Sequence, residues 1–522
     1  MANVNRRLTR LRLRPARRPR ARIVRGDALS PRRLWLAVVI AVIVTGVVAG
    51  TVLALGVGSV KRAPRFVPNT LIAAADPLRF QPSREVEFEQ AAAAGLSHVL
   101  YVKSLGGVAA TGKRVDRFRA SAEQAVAGSG FSADMLEALV FLESAGRPDV
   151  IAGVDPVAAS GLTQILAETG RDLLGMRIDL PASRRLTRRI AVAEARGRGT
   201  LVIRLQARRR SIDARFDPRR SLAGAVRYLS IARARFGRDD LAFVSYHMGI
   251  GNLEHVLRLF LGDASTTPIA TLVAQHRLSW AEVFFDSSPT RHASAWRFLQ
   301  TLSDDSKTYY WRLLAALQII HLYRSDPATL GKLAALHDHH QSIDAVLHPP
   351  DATTSFASPS ALKHAWANGL IQPLPGRPLR LHLAVRPSLG GLAARVGARP
   401  TLYRGLRVEA LALLIYLARE VHEISGAPTP LIVSSAVSDA SYQQAAGTAV
   451  SSEDTGWADT TGYAFTIRRR YGTGRQAEAF QYELERLQAL NLIAWVRQPR
   501  TIHITVSSKA DVLIPAMLKR AR

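Results

Sequence analysis

Glu143 ends an apolar run, Met135-Leu136-Glu137-Ala138-Leu139-Val140-Phe141-Leu142, and Ser144-Ala145-Gly146 follows at once. At 3.6 residues per turn, Leu136, Leu139 and Val140 share its side of a helix that Gly146 and Pro148 bring to a stop. A carboxyl emerging beside apolar side chains is poorly solvated, so its pKa rises and it keeps a proton near neutral pH. The chemistry that needs such a group is protonation of a leaving oxygen, as in breaking a glycosidic bond.

The elements that must hold this acid read as helix after helix over residues 89–347, with few strand signals. Helices are predicted over 117–128, 132–143, 161–174, 222–236, 241–248, 253–260 and 307–323, with Ser132 placed as a cap and Gly170, Gly237 and Gly262 as stops. Residues 171–220 are strongly basic, with Arg184, Arg185, Arg188, Arg189 and Arg208-Arg209-Arg210 among them. They are either a solvated helical insertion or a cationic surface that attracts an acidic polymer. Residues 348–400 hold many Pro, Gly and Ser and are expected to be a linker. A predicted helix at 408–424 and another at 475–490 then alternate with strand-like runs at 431–435, 462–467 and 501–506. This predicts a separate α+β domain at 401–508, with a tail at 509–522.

With 522 residues, of which 48% are apolar, the chain has room for two or three domains and is not a disordered protein. Much of the net charge of +29 comes from arginines crowded into residues 1–33, with Asp27 the single acid there. The run from Leu34 to Val60 carries no charge. As a helix it would span roughly 40 Å, against a hydrocarbon core of roughly 30 Å. A single transmembrane anchor is therefore expected at 34–60, with a basic cytoplasmic tail at 1–33, a juxtamembrane linker at 61–115 and the bulk of the chain extracytoplasmic. A cleaved signal peptide is the alternative, although the apolar run is long for one. A buried core helix fits poorly with a stretch apolar on every face. The basic tail suits anionic lipid head groups better than nucleic acid, a partner that charge alone would suggest. The lack of cysteine excludes disulfides and thiolate metal sites.

Three segments carry a resemblance. Glu143-Ser144-Ala145-Gly146, Ala159-Ser160-Gly161-Leu162-Thr163-Gln164-Ile165 and Ser245-Tyr246-His247-Met248-Gly249-Ile250-Gly251-Asn252 resemble, in order, the signature segments of the soluble lytic transglycosylases. These are lysozyme-like enzymes that cut peptidoglycan. Phe216-Asp217-Pro218, with Gly224 and Tyr228-Leu229, resembles the segment that usually stands between the last two. The resemblance implies an all-α lysozyme-like domain, expected at 116–347, acting on peptidoglycan glycan strands without a cofactor. It implies that Glu143 is the sole catalytic acid and base, leaving a 1,6-anhydro end with no water consumed, the substrate's acetamido group serving as internal nucleophile. It implies that Tyr246 reaches the Glu143 carboxyl, that Ser144, Ser160 and Gln164 line the sugar groove, and that Gly161 allows close approach of the glycan. Gly249, Gly251 and Asn252 would shape the turn that delivers Tyr246. This chain departs from the family in carrying His247 where Asn is usual, and Thr163 where Met is common.

Residues 431–443, then Asp459 to Ile467, then Ile502-His503-Ile504 resemble the zinc D,D-carboxypeptidase fold, whose middle segment begins with His and ends with Asp and whose later His completes the site. Here Asp459 and Thr466 occupy the first two ligand positions and only His503 remains, whereas catalytic zinc takes three protein ligands. No metal is expected, and the domain reads as a degenerate module for stem peptide or a cell-envelope protein partner. The His337-Asp338-His339-His340 cluster is not expected to bind metal either, because neighbouring helix positions do not converge. The expectation for the whole chain is a multidomain, membrane-anchored lytic transglycosylase. The alternatives are a non-catalytic peptidoglycan-binding scaffold and a muramidase of goose-lysozyme type that uses water.

Overall fold

The computed structural model describes residues 76–302, 305–338, 343–447 and 456–521. The Glu143 helix, Ala133–Ser144, starts where the Ser132 side chain accepts a hydrogen bond from Asp134 N, at 3.1 Å. It ends at Ala145 and Gly146, both left-handed, with φ of 51° and 71°. A Cβ at residue 146 would lie 2.8 Å from the Arg114 backbone, so glycine is required there. Leu136, Leu139, Val140 and Phe141 are buried, and the helix packs against Tyr309–Ser325, whose Trp311 is fully enclosed. Helices Val108–Asp116 and Arg119–Val126 also pack on the Glu143 helix, and Asp239–Met248 packs against Tyr309–Ser325.

Residues 161–174 do not form the predicted helix. Gly161 and Gln164 hold positive φ, Ser160 bridges both Ile151 and Ile165, and helical backbone is confined to 167–173, where it includes a π-turn at Thr169–Leu173. The basic stretch beyond it forms two helices, Leu180–Ala195 and Gly199–Ile212, which pack on each other around a small core of Leu186, Ile190, Ala193 and Leu205.

Seven strands occur among the described residues: β1 Gln372–Pro373, β2 Leu383–Val385, β3 Gly405–Leu406, β4 Leu431–Ser435, β5 Ala464–Arg468, β6 Ile493–Arg497 and β7 Thr501–Val506. β1 pairs with β3, and the others form one sheet in the order β2-β4-β5-β7-β6, parallel only between β2 and β4. Helices Val408–Ser425 and Gly474–Ala489 pack together beside it.

Five expectations about organisation are corrected. The segment taken as a linker at 61–115 contains helices Glu85–Gly95, His98–Lys103 and Val108–Asp116. Its run Ala91-Ala92-Ala93-Ala94-Gly95 lets one backbone approach another: a Cβ at residue 95 would fall 2.1 Å from Gln488 O. The 348–400 segment supplies β1, β2 and helix Pro359–Ala367, and the supposed tail at 509–522 carries helix Ile514–Ala521 with Met517 buried. One hydrophobic core runs through the helical part and the sheet, and the described residues, from Asp76 onward, form one compact unit, not separate domains joined by linkers. Finally, no helix among the described residues is long and apolar enough to cross a membrane. Among the described residues the fold is mostly helical with a small sheet and has no spanning helix; the run 34–60 on which that expectation rests lies outside the described residues, as does the 1–33 tail.

Candidate active site

The carboxyl of Glu143 leaves the helix at its last turn and meets the first turn of Tyr309–Ser325. Tyr309 Oη donates to Glu143 Oε1 at 2.7 Å. Burial pushes the Glu143 pKa from 4.5 up to about 7, against a downward pull from the Tyr309 hydrogen bond and the nearby Arg312 cation. Arg312 is itself held by Asp305, at 2.6 Å. Burial, and next the Glu143 charge, hold Tyr309 and Tyr246 well above the usual phenol pKa, so both remain protonated donors at neutral pH.

Tyr246 does not reach Glu143 as the resemblance implied. Its hydroxyl donates to Thr163 O at 2.8 Å, and Tyr309 holds the acid instead. Tyr228 stands edge-on to Tyr246, centroids 5.2 Å apart, and donates to Ser245 O at 2.7 Å. His247 stacks on Tyr309, centroids 5.1 Å apart, and its Nδ1 lies 2.9 Å from Ser306 Oγ. His247 therefore braces the tyrosine that holds the acid. Replacing Tyr309 by Phe removes a bond that lowers the Glu143 pKa, so the titration should move above about 7. Carboxyl-carbon NMR of labelled Glu143 checks this; a titration left in place would mean that the bond does not form in solution.

The other expected sugar contacts face inward. Ser144, only 2% exposed, donates to Leu162 O at 2.7 Å, and Ser160, fully buried, donates to Ala158 O. Gly161 has φ of 82°, and a Cβ there would sit 1.8 Å from Arg215 O, so its smallness serves protein backbone and not glycan. Gln164 Nε2 donates to Gly161 O at 2.7 Å. Thr163 Oγ1 pairs with Ser221 Oγ at 2.8 Å, a buried contact that methionine could not make. Gly249, with φ of 85°, ends one helix as the N-cap of the next. Gly251 and Asn252 are exposed in that second helix, where Asn252 Nδ2 bonds Met248 O at 3.0 Å.

The 156–165 loop hangs on a buried ion pair. Arg215 and Asp213, both fully enclosed, bond through Nη2 to Oδ2 at 2.8 Å and Nε to Oδ1 at 3.0 Å. The guanidinium also donates to the carbonyls of Pro156, Ala158 and Ile165. The pair thus fixes the loop that ties down Ser144 and Tyr246.

In the sheet, β5 and β7 bring Thr466 opposite His503, with Oγ1 3.3 Å from Nδ1. Asp459 Oδ1 lies 3.9 Å from the same nitrogen. Burial pushes Asp459 up to about 6, while Gln443 donates to its Oδ2 at 3.3 Å. The three positions that align with zinc ligands therefore meet in space, but one imidazole, one carboxyl and one neutral hydroxyl that does not ionise make a weak donor set. Restoring it with D459H and T466D should create stoichiometric zinc binding that the parent lacks, measured by metal analysis after dialysis. Zinc retained by the parent would contradict this. His337 stands apart from any such cluster, stacked on Tyr101 and 3.0 Å from His98, with burial holding it down to about 3; His339 and His340 lie outside the described residues.

Tyr309, Arg312 and Ser306 escaped the sequence reading. The one available signal was the Tyr309-Tyr310-Trp311 cluster opening a helix, which reads equally well as core. No protein-family model matches this chain, and no curated protein matches it.

Proposed function

We propose that this chain cleaves the β-1,4 bond between N-acetylmuramic acid and N-acetylglucosamine in peptidoglycan as a lytic transglycosylase. The observation that supports it most is a lone acid poised near neutrality by burial and held by a tyrosine at the end of a helix. Protonated Glu143 gives its proton to the glycosidic oxygen as that bond breaks, and the substrate's acetamido oxygen closes on the anomeric carbon. The resulting carboxylate then takes the proton of the C6 hydroxyl, whose oxygen displaces the acetamido group to form the 1,6-anhydro ring. Acid and base are the same residue, and no second carboxylate is used.

A second reading, a peptidoglycan-binding scaffold without turnover, draws on the inward-facing Ser144, Ser160 and Gly161, which are not free to hold sugar. A goose-type muramidase would use the same acid with water as nucleophile. Incubation with purified sacculi followed by mass analysis of released muropeptides separates the three. Anhydro ends are expected; reducing ends would identify a hydrolase, and binding without release a scaffold.

A further inference from the structure

The two-helix projection Leu180–Ile212 carries ten arginines and a single acid, Glu194. Three of the arginines fasten its base: Arg209 and Arg210 to Asp149, at 3.2 and 2.8 Å, and Arg184 to Asp155, at 2.9 Å. The other seven have no carboxylate within ion-pair distance among the described residues, and all seven are exposed. Five of these, Arg185, Arg188, Arg189, Arg196 and Arg198, line one recess of about 430 Å³ over an aliphatic floor that includes Leu205. Such a concentration of unneutralised charge repels itself, and an anionic occupant relieves it.

We infer that this recess is a docking site for a linear polymer of sugar- or alditol-phosphate units. Arg185, Arg188 and Arg189 on one face of helix Leu180–Ala195, with Arg196 at its C-cap, span a run of roughly 16 Å. That length matches two or three successive phosphodiesters, each able to take a forked pair of hydrogen bonds from a guanidinium. The recess has no aromatic lining on which bases could stack, which disfavours single-stranded nucleic acid. Its concave form, and the absence of Trp, Phe or Tyr from its lining, disfavour a bilayer surface. The small core of Leu186 and Ile190 holds the guanidiniums in register, and the ion pairs at the base join the projection to the loop that follows Glu143.

The inference does not depend on turnover, so it is tested on full-length protein carrying Glu143→Gln, where failure to bind and failure to cleave cannot be confused. The probe is a fluorescent glycerol-phosphate oligomer of about ten units, read by anisotropy from 50 to 300 mM salt. With about three phosphates engaged, log K should fall with log salt at a slope of about −2. Replacing Arg185, Arg188, Arg189 and Arg196 by Gln should weaken binding at least tenfold at 100 mM salt and flatten that slope. Replacing Arg17, Arg18, Arg20 and Arg22 in the basic leader should do much less, and circular dichroism should be unchanged by either set. Two outcomes overturn the proposal: the recess variant binds the oligomer as the parent does, or an oligothymidylate or vesicles with a third anionic lipid bind the parent at least as tightly.

Discussion

Glu143→Gln is expected to lose about three orders of magnitude or more in turnover of sacculi while the protein becomes more stable at high pH. The first effect follows from removing the group that donates and then recovers the proton, a role worth roughly 10²–10⁴-fold where another route exists. The amide oxygen can still accept from Tyr309, so the local geometry is kept. The second effect follows from the direction of the pKa shift. The folded pKa, about 7, lies above the ordinary value of 4.5, so ionisation is harder in the folded state. The stability tied to the protonated form is complete below about pH 4.5 and is lost as pH rises through about 7, up to about 3 kcal/mol. Parent and variant should therefore melt alike at pH 4, with the variant melting higher at pH 8. In the parent, kcat/KM should fall about tenfold per pH unit above about 7, as the acid form disappears. Turnover by the variant within about tenfold of the parent would remove Glu143 from the mechanism, and equal melting at pH 8 would show that its carboxyl is solvated.

Arg215→Met carries the largest structural penalty. It strands the fully buried Asp213 carboxylate, leaving it Ser183 Oγ at 2.8 Å and the Arg215 backbone N–H at 3.2 Å, and deprives three loop carbonyls of a donor. Breaking one side of an enclosed ion pair costs about 3–5 kcal/mol. Unfolding should move down by roughly 5 to 10 °C, and the 156–165 amides should lose hydrogen-exchange protection first. Adding Asp213→Asn removes the stranded charge and should restore part of the loss. If the single variant melts as the parent does, the pair is not what holds the loop.

Local pattern carried much of the architecture. The helix expected over 132–143 lies at Ala133–Ser144, and the runs 431–435 and 501–506 are β4 and β7, because cap residues and β-branched alternation are nearest-neighbour signals. Long-range contacts left no such mark. Tyr309 meets Glu143 across 166 residues, and nothing near either one announces the other. Gly161 shows only that something comes close; that the neighbour is Arg215 O and not a sugar is decided by tertiary packing. Alternation in β6 lay hidden directly behind helix Gly474–Ala489. The stretch around Gly95 was misread because small residues look featureless, although they are what permits two backbones to touch.

Asp76 bonds to Tyr416 at 3.0 Å and, across 410 residues, to Arg486 at 2.8 Å, so the opening of the described chain is completed by nearly its last helix. At roughly 5–20 residues per second, a ribosome needs roughly 20 to 80 s to make that partner. Until then the part of Glu85–Gly95 that meets Gly474–Ala489 waits uncovered, and any chaperone engaged during synthesis should hold this stretch longest. A stop codon placed between the helical part and the sheet would therefore yield a fragment with an open seam next to the Glu143 scaffold, prone to clump.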